Sequence, residues 1–176
     1  MNKDKSIDVL NKLIENNNDR IEGYETASKE TEENDLKILF AGFITTSQKC
    51  KQELVKQVLD LGGKPEEGTR TTGKFFRVWM DVKAALTKKD RKTILKSCEY
   101  GEDVAIETYE KALSDPGDLS PTLVTLIKSQ LLRIKNDHDK INIKTSKLVS
   151  PILALLLSFS VSSCNVIGGI LKRVWG

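Results

Sequence analysis

Four segments of the chain carry apolar residues at intervals of three and four positions, which is the spacing of amphipathic helices. The four stripes are Ile7, Leu10, Ile14, Asn17, Ile21, Tyr24 and Ser28; Leu36, Phe40, Phe43, Ser47, Cys50, Leu54 and Leu61; Leu95, Cys98, Glu102, Ala105, Tyr109 and Ala112; and Val124, Ile127, Leu131, Ile134, His138 and Ile141. Four such faces bury one another and leave the charged residues outside. The pattern therefore predicts an all-α, antiparallel four-helix bundle.

Capping residues mark where these helices begin and end. Gly62 follows the second stripe, and a glycine there can adopt the left-handed conformation that closes a helix. Asp90 precedes the third stripe as an N-cap. Ser120 is followed by Pro121, and a serine oxygen in front of a proline is a strong start signal. Each main helix is thus predicted to have defined ends.

A longer connection separates the second stripe from the third. Residues 67–74 are rich in glycine and threonine, and residues 75–86 form a shorter apolar segment. This stretch is predicted to be a crossover that carries one short helix. A crossover of this length allows the third main helix to start from the far end of the bundle.

The last part of the chain differs from the rest. Residues 151–171 contain no charge, and about twenty apolar residues suffice to cross a bilayer. Serines in the middle of the run weaken that interpretation, so membrane association through 151–171 and a weakly packed tail both remain open. Residues 144–164, which end in Val161-Ser162-Ser163-Cys164, also resemble a bacterial lipoprotein signal. We predict a bundle domain over residues 1–147 and an apolar C-terminal segment over 148–176.

Composition and charge narrow the class of protein further. The 176 residues suit one domain, and the net charge of +3 comes from acidic and basic residues that alternate along the helices. Such a surface argues against nucleic-acid binding. The three cysteines show no C-x-x-C spacing, which favours reduced thiols, and residues 1–12 lack the continuous apolar region expected of a signal peptide. A cytoplasmic protein is expected, as a monomer or a homodimer, and its protein partner is not indicated.

A few polar side chains interrupt the apolar stripes. His138 is the only histidine, and Glu102 on the neighbouring stripe is a candidate partner because a buried carboxylate needs a hydrogen bond or a charge. Asn17, Tyr24 and Tyr109 would complete a polar core layer with them. Asn17 precedes Tyr24 by seven residues, as Glu102 precedes Tyr109, so the two halves of the bundle echo each other.

Several motifs in order resemble a known family. They are residues 17–24, NNDRIEGY; Leu61-Gly62-Gly63 with Pro65; residues 76–81, FRVWMD; and residues 97–103, SCEYGED. Together they resemble a bacterial four-helix-bundle family of unknown function within the ferritin-like superfamily, over residues 5–143. The resemblance implies the ferritin-like fold and no established activity.

Ferritin-like enzymes generally bind two metal ions through glutamates and Glu-x-x-His pairs, and this chain departs from that pattern. Lys135 stands three residues before His138, where glutamate would be required, and the second stripe has no histidine. Our leading hypothesis is a non-enzymatic protein with no cofactor and an interaction or stress-associated role. The alternative is a metal-binding or redox protein that binds iron or manganese through Glu102, His138 and a further glutamate.

Overall fold

The computed structural model describes the backbone of residues 2–69 and 74–171 and the side chains of residues 2–69, 77 and 80–146. Its elements are α1 (Lys3–Glu30), α2 (Asn34–Asp60), α3 (Lys74–Thr87), α4 (Arg91–Ser114), a short 3-10 turn (Pro116–Asp118) and α5 (Pro121–Leu171). No strand occurs within these backbone ranges. The predicted all-α class and the helical bundle are confirmed.

Side-chain caps fix the helix starts as the sequence indicates. The Asp90 carboxylate accepts hydrogen bonds from the backbone N–H groups of Lys92 and Thr93, and the Ser120 hydroxyl oxygen accepts from the Leu123 N–H at 3.2 Å. Gly62, just after α2, has φ +76°. Only glycine adopts this value without strain, so the turn stops α2 there.

The direction of each helix follows from ion pairs at the two ends of the bundle. We call the end at the α1–α2 turn the upper end and the end at Asn2 the lower end. Arg91, at the start of α4, pairs with Glu33 and Asp35 at the upper end. The chain returns to the lower end after α4, where Asp118 Oδ2 lies 3.1 Å from Lys5 Nζ. Helix α4 therefore runs antiparallel to α1.

Helix α5 returns to the upper end, where Lys144 Nζ lies 3.0 Å from the Asp35 carboxylate. It therefore runs antiparallel to α2 and α4. The crossover begins at the lower end, after α2, and delivers the chain to the upper end at Arg91. Helix α3 lies along the upper part of α4 and α1, where Val82, Ala85 and Leu86 join the main core.

Helix α1 is buried over more of its circumference than a single stripe would be. Five consecutive polar residues, 16–20, are each no more than 5 % exposed. Helices α2, α3 and α4 all contact α1, and the start of the crossover covers its remaining side. Asn18 Nδ2 donates to the Gly68 carbonyl at 2.8 Å, and Asn11 Nδ2 donates to the Lys64 carbonyl at 3.0 Å. Polar side chains of α1 thereby bind the loop that encloses them.

Helix α5 buries a stripe that is rotated from the predicted one. Its fully or nearly buried residues are Leu123, Ile127, Gln130, Ile134, Asp137 and Ile141. Val124, Leu131 and His138, which the periodicity placed in the core, are only partly buried. Gln130 and Asp137 take their places because each has a hydrogen-bonding partner in the core.

Some sequence predictions fall outside the described residues. They concern the side chains of Phe75, Phe76, Val78 and Trp79 in the crossover segment, and those of residues 147–176, including Cys164 of the lipoprotein-like motif. The backbone of α5 continues through the boundary predicted after residue 147, and the division into two parts stays a prediction. Within the described part of the chain, none of the helices combines the length and apolarity that crossing a membrane requires.

Asp35→Asn is expected to lower the free energy of unfolding by about 0.5–1 kcal/mol at neutral pH, because the Asp35 ion pairs are partly exposed. The hydrogen bond from Arg91 holds the pKa of this carboxyl below its ordinary value of 3.8, against the opposing effect of burial and with support from Lys144. A pKa lowered by folding stabilises the fold above pH 3.8, and that stabilisation is lost as the pH falls toward the folded-state pKa.

Urea unfolding of both proteins at neutral pH and near pH 2.5 measures this effect. The difference between wild type and Asp35→Asn should shrink in acid. Asp60→Asn is the control, since it removes only the exposed pair with Lys56. A difference that grows as the pH falls would contradict the assignment of the ion pairs to Asp35.

Candidate functional site

The guanidinium of Arg20 lies at the centre of the bundle and connects three other helices. Its Nη2 is 2.8 Å from Glu102 Oε2 on α4 and 3.4 Å from Asp137 Oδ2 on α5, and its Nη1 donates to Ser47 Oγ on α2 at 2.7 Å. The side chains of Arg20, Glu102 and Asp137 are each about 1 % exposed. A buried cation with a partner on each of the other three main helices fixes how the helices align.

Glu102 uses both of its oxygens inside this network. Its Oε1 accepts from Arg20 Nε at 3.1 Å and from the Tyr24 hydroxyl at 2.6 Å, and its Oε2 accepts from Arg20 Nη2. This forked arrangement is the strong geometry of an arginine–carboxylate pair. The Tyr24 ring packs edge-on against Phe43, with ring centroids 5.0 Å apart. Glu102 is thus held by one cation and one hydroxyl within an apolar shell.

A second polar group lies toward the lower end of the bundle. Asn17 Nδ2 donates to the Tyr109 hydroxyl oxygen at 2.7 Å, and that hydroxyl donates to Gln130 Oε1 at 2.9 Å. Gln130 Nε2 in turn donates to the Cys50 carbonyl at 3.1 Å and to Glu53 Oε2 at 2.9 Å. These bonds join all four main helices a second time.

The two groups contain the same kind of tyrosine contact, with the roles of α1 and α4 exchanged. Tyr24 of α1 bonds to Glu102 of α4, while Tyr109 of α4 bonds to Asn17 of α1. Each tyrosine therefore reaches the polar residue that lies seven positions before the other tyrosine. The repeat noted in the sequence corresponds to this reciprocal pair of contacts between antiparallel helices.

The charges that surround Arg20 are balanced locally. Asp137 Oδ1 lies 2.8 Å from Lys140 Nζ, whose side chain is 56 % exposed, so the second carboxylate has its own cation at the edge of the core. Arg20 and Lys140 together match Glu102 and Asp137. A charge-balanced network avoids the large cost of an uncompensated ion in an apolar interior.

Burial and these contacts shift the ionisation of the buried groups. Burial raises the pKa of Glu102, an effect that the Arg20 charge and the Tyr24 hydrogen bond oppose. Burial alone would lower the pKa of Arg20, but the charges of Glu102, Tyr24 and Asp137 outweigh it and raise that pKa. Burial, with the charge of Glu102, raises the pKa of Tyr24 well above its ordinary value. Arg20 therefore stays protonated, and Tyr24 stays a neutral donor.

The structure places four of the five residues predicted to form the polar layer in the core, but in two groups: Tyr24 with Glu102, and Asn17 with Tyr109. His138 lies elsewhere: its Nε2 is 3.1 Å from Asp103 Oδ1, near the surface, and Asn142 Nδ2 lies 3.2 Å from its Nδ1. Glu102 pairs with Arg20, so the expected Glu102–His138 pair is not formed. The rotation of α5 that buries Asp137 turns the neighbouring His138 toward the bundle edge.

The other candidate ligands are not grouped into a metal site either. Glu53, a further glutamate at the core edge, accepts from Arg133 Nη1 at 2.8 Å. Cys50 and Cys98 are buried free thiols, and burial raises the pKa of both. Among the described residues, no three His, Cys, Asp or Glu side chains are grouped so that they could hold a metal ion.

Sequence reasoning missed Arg20, Gln130 and Asp137. Arg20 lies just off the predicted stripe of α1, and a charged residue in that position is usually exposed. The signal that could have found it is the uninterrupted polar run of residues 16–20 in the middle of a long helix, opposite a stripe that carries Glu102. A buried carboxylate requires a cation or several donors, and Arg20 supplies both.

The fold is an all-helical bundle, and the arginine–carboxylate network around Arg20 joins its main helices in the core. The chain belongs to the family described as Domain of unknown function (DUF2383), whose sequence model matches residues 5–115. That match covers α1 to α4, including Arg20 and Glu102, and confirms the prediction of a family without an assigned function. No curated protein matches the sequence.

Proposed function

We propose that this chain is a ferritin-like bacterial bundle protein that acts by binding other proteins and does not use its core for metal chemistry. The position of Arg20 carries the part of the proposal that concerns metal chemistry, and the binding role follows the hypothesis drawn from the sequence. The Arg20 guanidinium lies between the two buried carboxylates, Glu102 and Asp137, which are otherwise the strongest candidate ligands in the core.

The chemistry of these carboxylates supports the proposal. Metal ions such as iron and manganese need several oxygen or nitrogen ligands with free lone pairs directed at one point. Both oxygens of Glu102 already accept hydrogen bonds, and those of Asp137 face Arg20 and Lys140. A divalent ion at this point would have to displace the guanidinium or repel it at close range. The network therefore favours a structural role over a catalytic one.

We expect the purified full-length chain to retain far less than one metal ion per molecule after incubation with excess iron(II) or manganese(II) and removal of unbound metal. Elemental analysis by mass spectrometry measures the ratio. The expectation follows because Arg20 occupies the space and the lone pairs that a metal would need.

The matched variants are Glu102→Gln in the core, His138→Ala at the bundle edge and Glu110→Gln as a surface control on the same helix as Glu102. Stoichiometric metal that disappears in Glu102→Gln or His138→Ala, and persists in Glu110→Gln, would overturn the proposal. That result would establish the metal-binding alternative with Glu102 and His138 as ligands.

The further features of the proposal derive from the sequence. The ferritin-like relationship is supported by the motifs at residues 17–24 and 97–103, which contain Arg20 and Glu102. A stress-associated role, a cytoplasmic location and the absence of nucleic-acid partners stay predictions. Membrane association through residues 151–171 also stays a prediction, supported by the uncharged composition of that segment.

A further inference from the structure

A groove runs along the lower half of the seam between α1 and α4. It encloses about 680 Å³. Its floor is apolar and its rims are charged; the lining residues are Lys5, Asp8, Val9, Lys12, Leu13, Val104, Glu107, Thr108, Lys111, Ala112, Asp115, Asp118 and Leu119. The α1 residues span nine positions, from Lys5 to Leu13, which is about 12 Å of helix. A groove of this length matches about two turns of a partner helix.

The upper half of the same seam already holds a helix. Helix α3 contacts both α1 and α4 there and buries Val82, Ala85 and Leu86. These three residues have the i, i+3, i+4 spacing by which an amphipathic helix packs into a groove. The groove therefore continues, toward the lower end, a surface that the chain itself uses to bind an amphipathic helix.

The charges along the seam indicate the kind of helix that would fit. In the upper half, Lys83 of α3 approaches Glu30 of α1, with 3.8 Å between Lys83 Nζ and Glu30 Oε1. In the lower half, four carboxylates outnumber three lysines on the rims, and Lys5 is paired with Asp118. A helix with basic residues at its edges is thus favoured in both halves.

We propose that this lower groove is a docking site for an amphipathic helix of another protein, with an apolar i, i+3, i+4 stripe and lysine or arginine at its edges. The inference rests on the proposed binding function and specifies the surface that performs it. The apolar floor supplies the contact area, and the carboxylates on the rims orient the helix.

The probe is a fluorescently labelled synthetic peptide of residues 74–87, because this segment has the required stripe and a net basic charge. Binding to the full-length protein is measured by fluorescence anisotropy. Ala112→Trp fills the groove from a half-buried position, whereas Ala41→Trp places the same side chain on the exposed outer surface of α2. We expect saturable binding that Ala112→Trp weakens by about tenfold or more and that Ala41→Trp leaves unchanged.

Hydrogen exchange identifies where the peptide binds. Bound peptide should protect amides in the lower parts of α1 and α4, and thermal unfolding should show that both tryptophan variants remain folded. Absence of binding, equal binding to the two variants, or protection confined to other helices would overturn the proposal. Self-association of the full chain that Ala112→Trp abolishes would overturn the assignment to another protein and identify a second copy as the occupant. These two variants do not replace Arg20, Glu102 or His138. The metal analysis therefore tests the proposed function separately.

Discussion

Replacing Arg20 by methionine is expected to lower the free energy of unfolding by about 3–5 kcal/mol, because it leaves the Glu102 carboxylate buried without its cation. Methionine keeps most of the side-chain length, so lost packing contributes little. The Tyr24 hydroxyl still donates to Glu102, but one neutral donor does not replace a forked guanidinium. Urea denaturation at neutral pH, followed by circular dichroism, measures the change.

Arg133→Met is the matched control for this experiment. Arg133 also pairs with a carboxylate, at 2.8 Å from Glu53 Oε2, but its side chain is 32 % exposed. The expected loss is only about 0.5–1 kcal/mol, since water screens the pair and solvates whichever charge remains. Similar losses for the two arginines would show that the burial of the Arg20 pair contributes nothing to stability. They would contradict the structural role of the network around Arg20.

The second large effect is the coupling between Arg20 and Glu102. Glu102→Leu alone should also cost about 3–5 kcal/mol, because it removes the principal counter-ion of a buried guanidinium. The double variant Arg20→Met/Glu102→Leu removes both charges and leaves Asp137 with Lys140. Its loss should therefore fall short of the sum of the single losses by about 3 kcal/mol.

A double-mutant cycle on the same denaturation curves provides that coupling energy. Arg20→Met combined with Glu110→Gln serves as the additive reference, because Glu110 is exposed and pairs with Lys135 on the outer surface. Additive losses for Arg20 and Glu102 would mean that the two side chains stabilise the fold independently, against the contact distances described above.

The helices could be predicted from the sequence because local rules determine them. Apolar periodicity located the main segments, and Asp90 and Ser120 fixed two helix starts through their own hydrogen bonds to the backbone. The third stripe was also nearly complete in the prediction, since its members Leu95, Cys98, Glu102, Ala105 and Tyr109 are buried as expected. Each of these features depends on residues within one or two turns of one another.

The composition of the core layer depends on contacts that local rules do not contain. A helical wheel treats every helix as having one buried face, whereas α1 is covered on all sides over residues 16–20. The arginine is buried because Glu102, far away in sequence, accepts its hydrogen bonds. Asp137 is buried for the same reason, and burying it turns His138 outward. A polar residue is buried in this core where a partner on another helix is also present. The stripe of a single helix therefore does not predict which polar residues are buried.

The reciprocal tyrosine contacts have a consequence for how the chain assembles. The α1–α2 hairpin supplies Tyr24 and Asn17, and their partners Glu102 and Tyr109 belong to α4, which forms a hairpin with α5. An isolated half would keep only its internal bond, Arg20 to Ser47 or Tyr109 to Gln130, and would expose its other polar groups to water. Each hairpin thus supplies hydrogen-bonding partners that the other needs, and neither is expected to persist as a separate folding unit.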